Sequence, residues 1–304
     1  MTRADAAAGT ATAAVLHGTG SAPGTFGELL QGVTAEDRLD FLVTLPIDAG
    51  ATATFTAEPG AGTVTVHPPH KHRAARLVRL MLDAYGFAGG GRLRLSGGLP
   101  EGRGLASSSA DLVATARAVG EALGVPVGPA VIEDFLRRIE PTDGVMYDGV
   151  VSFYHRQVRL RELLGPLSPM VIVGVEEGGA IDTLGFNRRP KPFTRAHRLE
   201  YDELLERVSE AVRTDDLPTV GRVATRSALL NEHLQPKRLL HRMIGLSEEF
   251  DALGVAVAHS GTALGVLVAE SDPECARKVA ELRTRAAALA GRTTLYRSWR
   301  GPGR

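Results

Sequence analysis

The chain has one cysteine, Cys275, among its 304 residues, so it can form no internal disulfide, and no second Cys or His cluster stands beside it to build a zinc site. That usage fits a reducing, cytoplasmic setting. No apolar run approaches the roughly 20 residues needed to cross a bilayer. The Ala/Thr/Gly tract at the start lacks the contiguous apolar centre of a secretory signal, and residues 1–15 are expected to be a disordered tail. An excess of either charge is also missing: Lys plus Arg and Asp plus Glu both number 35. No bulk field therefore draws in nucleic acid or an anionic membrane, and a small molecule is the expected partner. Two nucleotide signatures are absent as well. There is no Gly-Lys dipeptide, hence no Walker A loop, and no Gly-x-Gly-x-x-Gly follows a strand as a dinucleotide fold requires. Any nucleotide has to be held by other means.

What is present can build a sizeable core. Hydrophobic residues make up 43% of the chain, and its length predicts two domains. Residues 20–32 read as a glycine-punctuated loop, followed by strand patterns over 41–46, 51–57 and 63–66. Leu77, Leu80, Met81 and Ala84 give a helical face before Gly86, and Leu93 and Leu95 a short strand. Further helices are predicted at 129–139 and, in the second half, near 204–212, 220–230, 238–253 and 274–290. Strands are predicted at 150–154, 170–175, 255–257, 264–268 and 293–296. The order is mixed rather than a regular βαβ repeat, which argues for α+β. Gly, Pro and Ser concentrate at 164–169, placing a boundary between a domain of residues 16–165 and one of 166–304.

The most informative stretch is Pro100, Gly102, Gly104, Leu105, Ala106, Ser107, Ser108 and Ser109, leading into a helix marked by Leu112, Ala116, Val119 and Leu123 and stopped by Gly124. Glycines let backbone approach a ligand, while the open N–H groups and dipole of a helix start attract an anion. A serine hydroxyl with one carboxylate suffices for Mg²⁺, which keeps waters and phosphate oxygens as its remaining ligands. Glu133, Asp134, Glu140 and Asp143 stand on or just after the next helix. Glu140 and Asp143 flank Pro141-Thr142, where a tight loop would turn side chains into a cleft. The Asp143-Gly144 pair also reads as a simple turn.

The spacing of that serine loop resembles the phosphate-binding motif of the GHMP kinases. Pro23-Gly24-Thr25-Phe26-Gly27-Glu28 is similar to their N-terminal motif, and Ser260-Gly261-Thr262 stands where their C-terminal glycine loop lies. The resemblance implies a two-domain fold, with an N-terminal ribosomal-S5-domain-2-like half and a C-terminal ferredoxin-like α/β sandwich. It also implies transfer of phosphate from ATP with Mg²⁺. In that reading the stretch from Pro100 to Ser109 holds ATP, Ser108 and Glu140 hold the metal, and Asp143 serves as base. Thr25, Glu28, Asp143, Ser260, Gly261 and Thr262 meet the substrate. Two departures stand out: Met146 follows Gly144-Val145 where relatives place a catalytic Asp, and Thr25 stands where several carry lysine.

Longer strings narrow the resemblance. Residues 27–32, 41–46, 140–146 and 257–262, with Asp182-Thr183 and Phe186-Asn187-Arg188, look like the L-threonine kinases of cobalamin biosynthesis, which make O-phospho-L-threonine. A zwitterionic amino acid needs an acceptor for its ammonium, with Glu28, Asp143, Glu176 and Glu177 as candidates. It also needs donors for its carboxylate, from among Thr25, Asn187, Arg188, His259, Ser260 and Thr262. Serine, homoserine or a modified hydroxy amino acid is the alternative acceptor, and a non-catalytic ligand sensor the alternative class. His155 and His233 read as structural or surface residues. Assembly is not legible in the pattern, and a homodimer is carried only as an option.

Overall fold

The computed structural model describes residues 16–178 and 191–301. The expected tail, Asp182-Thr183 and Phe186-Asn187-Arg188 lie outside the described residues. Within them the chain is α+β, as its mixed order of elements implies. The elements run β1 (Leu16–Val33), β2 (Asp40–Pro59), β3 (Val64–His67), α1 (His72–Ala84), β4 (Gly89–Gly97), α2 (Ser107–Leu123), α3 (Pro129–Leu136), β5 (Val150–Tyr154), β6 (Arg159–Gly165) and β7 (Met170–Glu176). After the undescribed stretch come α4 (Arg195–Arg213), α5 (Leu217–Asn231), α6 (Leu240–Glu249), β8 (Gly254–Val257), β9 (Ala263–Ala269), α7 (Cys275–Ala290) and β10 (Thr293–Arg297). The strands join in the order β10-β7-β9-β8-β1-β2-β4-β3, with β5 and β6 branching from β2. Only β3–β4 is parallel among these pairings, and α1 supplies its crossover.

Residues 20–32, expected as a loop, are instead part of the long strand β1, which pairs with β2 through three register shifts, all between Pro23 and Leu30. Gly20, with Gly18 just before it, serves packing rather than turning. A Cβ on Gly18 would collide with the Ala118 carbonyl of α2, and one on Gly20 with that of Ala114, so their absence lets the helix lie directly on the strand. Likewise 41–46 and 51–57 are not two strands but one, β2. β6, whose burial is partial along most of its length, has no counterpart in the sequence reading.

The helix after the serine run forms as its apolar spacing requires. Leu112, Val113, Ala116 and Val119 are all buried, and full burial of each Leu or Val side chain contributes about 1.5–3 kcal/mol. Gly124, at φ 65°, ends the helix, and its N–H bonds back to the Glu121 carbonyl. One core cluster joins α1, α2 and α3 to β2, β4 and β5. A second packs α4 and α5 on β1 and β2, and a third packs α6 and α7 on β7, β8 and β9. Among the described residues no helix is long and apolar enough to cross a membrane.

Candidate active site

Where α2 begins, the backbone is bent hard. Gly102, Gly104 and Ala106 have φ of 70°, 82° and 54°, and Ala106 is a left-handed non-glycine residue at the N-cap position. That conformation costs about 1–2 kcal/mol for an alanine. The surrounding structure enforces it: the Leu105 carbonyl accepts from Thr25 N (3.2 Å) and the Gly104 carbonyl from Gly27 N (3.0 Å). Across a trans peptide the following amide points the opposite way, so the N–H groups of Leu105 and Ala106 face away from β1. The Arg103 carbonyl accepts from Thr262 N and Ala263 N, both at 3.2 Å, fastening the C-terminal glycine loop to the serine loop. No side chain caps α2, so its first amides stay available to a ligand.

A cleft of ≈ 440 Å³ opens at this helix start. Of the residues expected to bind nucleotide, Gly102, Gly104, Leu105, Ala106, Ser107, Ser108 and Ser109 line it, while Pro100 does not. Glu140, Asp143, Glu28 and Ser260 line it as well. Thr25, Gly261 and Thr262 lie behind it instead, in the backbone seams just described. Glu176 and Glu177, offered as ammonium acceptors, turn elsewhere: Glu176 to Arg103 (3.3 Å), and Glu177 to the Leu239 amide (2.6 Å).

Inside the cleft the polar groups are paired closely. Ser108 Oγ donates to Glu140 Oε1 at 2.5 Å, and Arg73 Nη1 meets Glu140 Oε2 at 3.0 Å. Ser109 Oγ donates to Asp143 Oδ2 at 3.0 Å and accepts from the Asp143 amide at 3.1 Å. Burial, then the negative charge of Glu28, with Glu140 adding to it, pushes the Asp143 carboxyl up to about 7 despite the Ser109 bond. Glu28 Oε2 accepts from His259 Nδ1 at 2.7 Å and from the His259 amide at 3.2 Å. His259 Nε2 meets Ser227 Oγ at 2.9 Å, and that oxygen accepts from the Gln31 amide at 3.2 Å. The chain of bonds ties β1, α5 and the loop after β8 into one wall. At the outer rim Lys71 bridges Asp111 (2.6 Å) and Glu101.

This donor set fits Mg²⁺. Among the described residues no cluster of three or more His, Cys, Asp or Glu could form a protein-only metal cage. One hydroxyl and one or two carboxylates beside a helix start suit an ion that takes most of its ligands from phosphate and water.

Residues 72–155, which carry α1, the serine loop, α2, Glu140 and Asp143, match the family model for the GHMP kinases N terminal domain. Over that stretch the chain is similar to the GHMP kinases. Its relatives include a protein of Salmonella typhimurium named L-threonine kinase, 27% identical over 257 residues, which are 84% of this chain and 84% of that one. A Citrobacter freundii protein of the same name is 26% identical, covering 81% of this chain and 84% of its own length. Among solved structures, homoserine kinase from Cytophaga hutchinsonii superimposes with a TM-score of 0.74 at 16% identity, over 93% of this chain and 95% of that one, and so shares the fold.

Several residues of this cleft escape sequence reasoning. Lys71, Arg73 and Asp111 sit on helices or at their starts, where charged residues normally face water. Gln31 hides in a strand mistaken for a loop. His155, read as structural, lines the cleft. Its only advance signal is a polar side chain straight after the apolar run Val150–Tyr154.

Proposed function

We propose that the protein transfers the γ-phosphoryl group of ATP to the side-chain hydroxyl of L-threonine, giving O-phospho-L-threonine. The observation that carries the reaction class is the convergence of Ser108, Glu140 and Asp143 at the open start of α2. The substrate rests on the likeness to two proteins named L-threonine kinase across more than four-fifths of the chain.

In this reading residues 16–165 form the nucleotide domain and 166–304 the domain that supplies the Ser260–Thr262 loop. The amides and hydroxyls of Ser107, Ser108 and Ser109 bind phosphate oxygens at the positive end of the α2 dipole. Ser108 and Glu140 hold Mg²⁺, whose charge offsets that building on the phosphates. Asp143 orients the threonine hydroxyl and takes its proton. The hydroxyl oxygen bonds to the γ-phosphorus as the bond from that phosphorus to the β–γ bridging oxygen breaks, and ADP leaves. With a carboxyl raised to about 7, Asp143 is divided between acid and base near neutral pH, which suits general-base work. Glu28 and Ser260 complete the acceptor side. A cytoplasmic setting, where ATP is supplied, and a place in cobalamin assembly follow from the same reading.

The deciding experiment mixes the protein with Mg²⁺-ATP and L-threonine, L-serine or L-homoserine, and follows phosphoamino acids by ³¹P NMR. Threonine is expected to show the highest kcat/KM. Turnover confined to another alcohol removes the substrate assignment. ADP formation with none of them removes the kinase reading.

A further inference from the structure

Two buried side chains that line the cleft have polar atoms that nothing satisfies. Gln31 and His155 are 9% and 3% exposed, and both line the cleft. Gln31 Oε1, His155 Nδ1 and His155 Nε2 are sealed from bulk water and have no hydrogen-bond partner. Buried polar atoms are normally paired, because leaving them bare costs stability. Unpaired atoms lining a cleft are therefore places where a ligand supplies the missing bonds.

Their chemistry says which ligand. Gln31 Oε1 can only accept a hydrogen bond. Glu28, also lining the cleft, takes both His259 bonds on Oε2, leaving Oε1 as the oxygen that His259 does not engage. Burial pushes the His155 imidazole down to about 3, and the nearby positive groups Lys191, Arg156 and His259 oppose its protonation further. It is accordingly neutral at working pH, with one accepting and one donating nitrogen. Arg156 and Lys191 are paired with Asp40, at 3.2 and 3.9 Å, so two acceptor oxygens and a neutral imidazole, beside the candidate base Asp143, are left to meet a ligand and make poor company for an anion alone. They suit a primary ammonium, with the single imidazole N–H left for a neighbouring carboxylate.

We propose that Gln31 and His155, with Glu28, form an ammonium-recognition subsite that restricts the acceptor alcohol to molecules bearing a primary amine. Gln31 Oε1 and Glu28 accept from the ammonium, and His155 spans the ammonium and carboxylate of an α-amino acid. The inference rests on the kinase reading for its setting, but binding alone tests it. It also explains how the cleft could refuse simple hydroxy acids: a site built to bond an amine rejects the analogue lacking it, because its own buried groups are then left bare.

The test is calorimetric titration of the full chain with L-threonine, 1-amino-2-propanol, which lacks the carboxylate, and 3-hydroxybutanoate, which lacks the amine. L-Threonine and 1-amino-2-propanol are expected to bind, and 3-hydroxybutanoate at least ~100-fold more weakly than threonine. Gln31→Leu should weaken both amine-bearing ligands about 10-fold or more while leaving ATP affinity as it was. His155→Phe should do the same, and His155→Gln, which restores a donor and an acceptor, should recover part of the loss. Circular dichroism identifies a variant that fails to fold, and the three-ligand comparison on the unaltered protein decides the matter without it. Equal binding of threonine and 3-hydroxybutanoate overturns the proposal, as do folded Gln31 and His155 variants with unchanged affinities. Amine-selective binding without phosphoryl transfer to any alcohol would uphold the subsite and remove the kinase reading.

Discussion

Replacing Asp143 with Asn should make the protein more stable and less active at once. The wild-type carboxyl is raised from 3.8 to about 7, first by burial and then by the charge of Glu28. Its folded form therefore holds a proton that the unfolded chain has already released. Stability from this group is complete below the unfolded value of 3.8 and is lost as pH rises toward the folded value of about 7. At ~1.36 kcal/mol per pH unit the gap amounts to ~4 kcal/mol as an upper limit. Asp143 is only partly enclosed, and solvent in the cleft reduces this to ~1–3 kcal/mol. Asparagine is uncharged in both states and keeps an oxygen to accept from Ser109. With an unfolding entropy of about 2.1 cal/mol/K per residue, the gain is a rise in Tm of about 2–5 °C at pH 8. Thermal melts of both proteins from pH 4 to 8 check this: the gain should be small at pH 4, grow as pH approaches 7, and level off above. Loss of the proposed base should meanwhile lower kcat by about 10²–10⁴-fold. A Tm difference that stays flat with pH, or a variant less stable at pH 8, would refute the idea that this carboxylate is held against its ionisation.

Three further outcomes are expected. The kcat/KM for threonine should rise with pH through an apparent value near 7, since the role proposed for Asp143 requires its carboxylate form; a profile flat from pH 6 to 8 would assign the base elsewhere. Ser108→Ala and Glu140→Gln should each lose most of the stabilisation that Mg²⁺-ATP confers, which for ligand at 100 times its Kd is about 2.7 kcal/mol, and a melt with and without nucleotide reads it directly. Gly261→Ala should cost kcat/KM about 100-fold or more, because the new Cβ would collide with the Arg103 carbonyl and the Gly104 amide and push the glycine loop off the serine loop. Activity within a few-fold of wild type would show that this seam does not position the phosphate site.

Much of the architecture can be read ahead of the structure. The spacing of Leu112, Ala116 and Val119, with Gly124 after Leu123, specifies α2 and its end because a helix repeats every 3.6 residues and stops readily at glycine. Residues 20–32 mislead for a related reason. Glycine signals a turn when only neighbours in sequence are considered, but Gly18 and Gly20 exist to admit a helix almost 100 residues further along. The family resemblance set Ser108 with Glu140 at the metal and Asp143 as base, but the bond between Ser109 and Asp143 has no counterpart in that reading, because which serine meets which carboxylate depends on how α2 meets the loop after α3.

The sequence by itself determined the local chemistry: a helix start with open amides, hydroxyls beside it, and carboxylates in a turn soon after. Only the tertiary structure decided that Gln31 of β1 and His155 after β5 line one cleft with them. Strand pairing brings together residues more than a hundred positions apart, and the cost of sealing a polar atom without a partner arises only once the walls around it have closed.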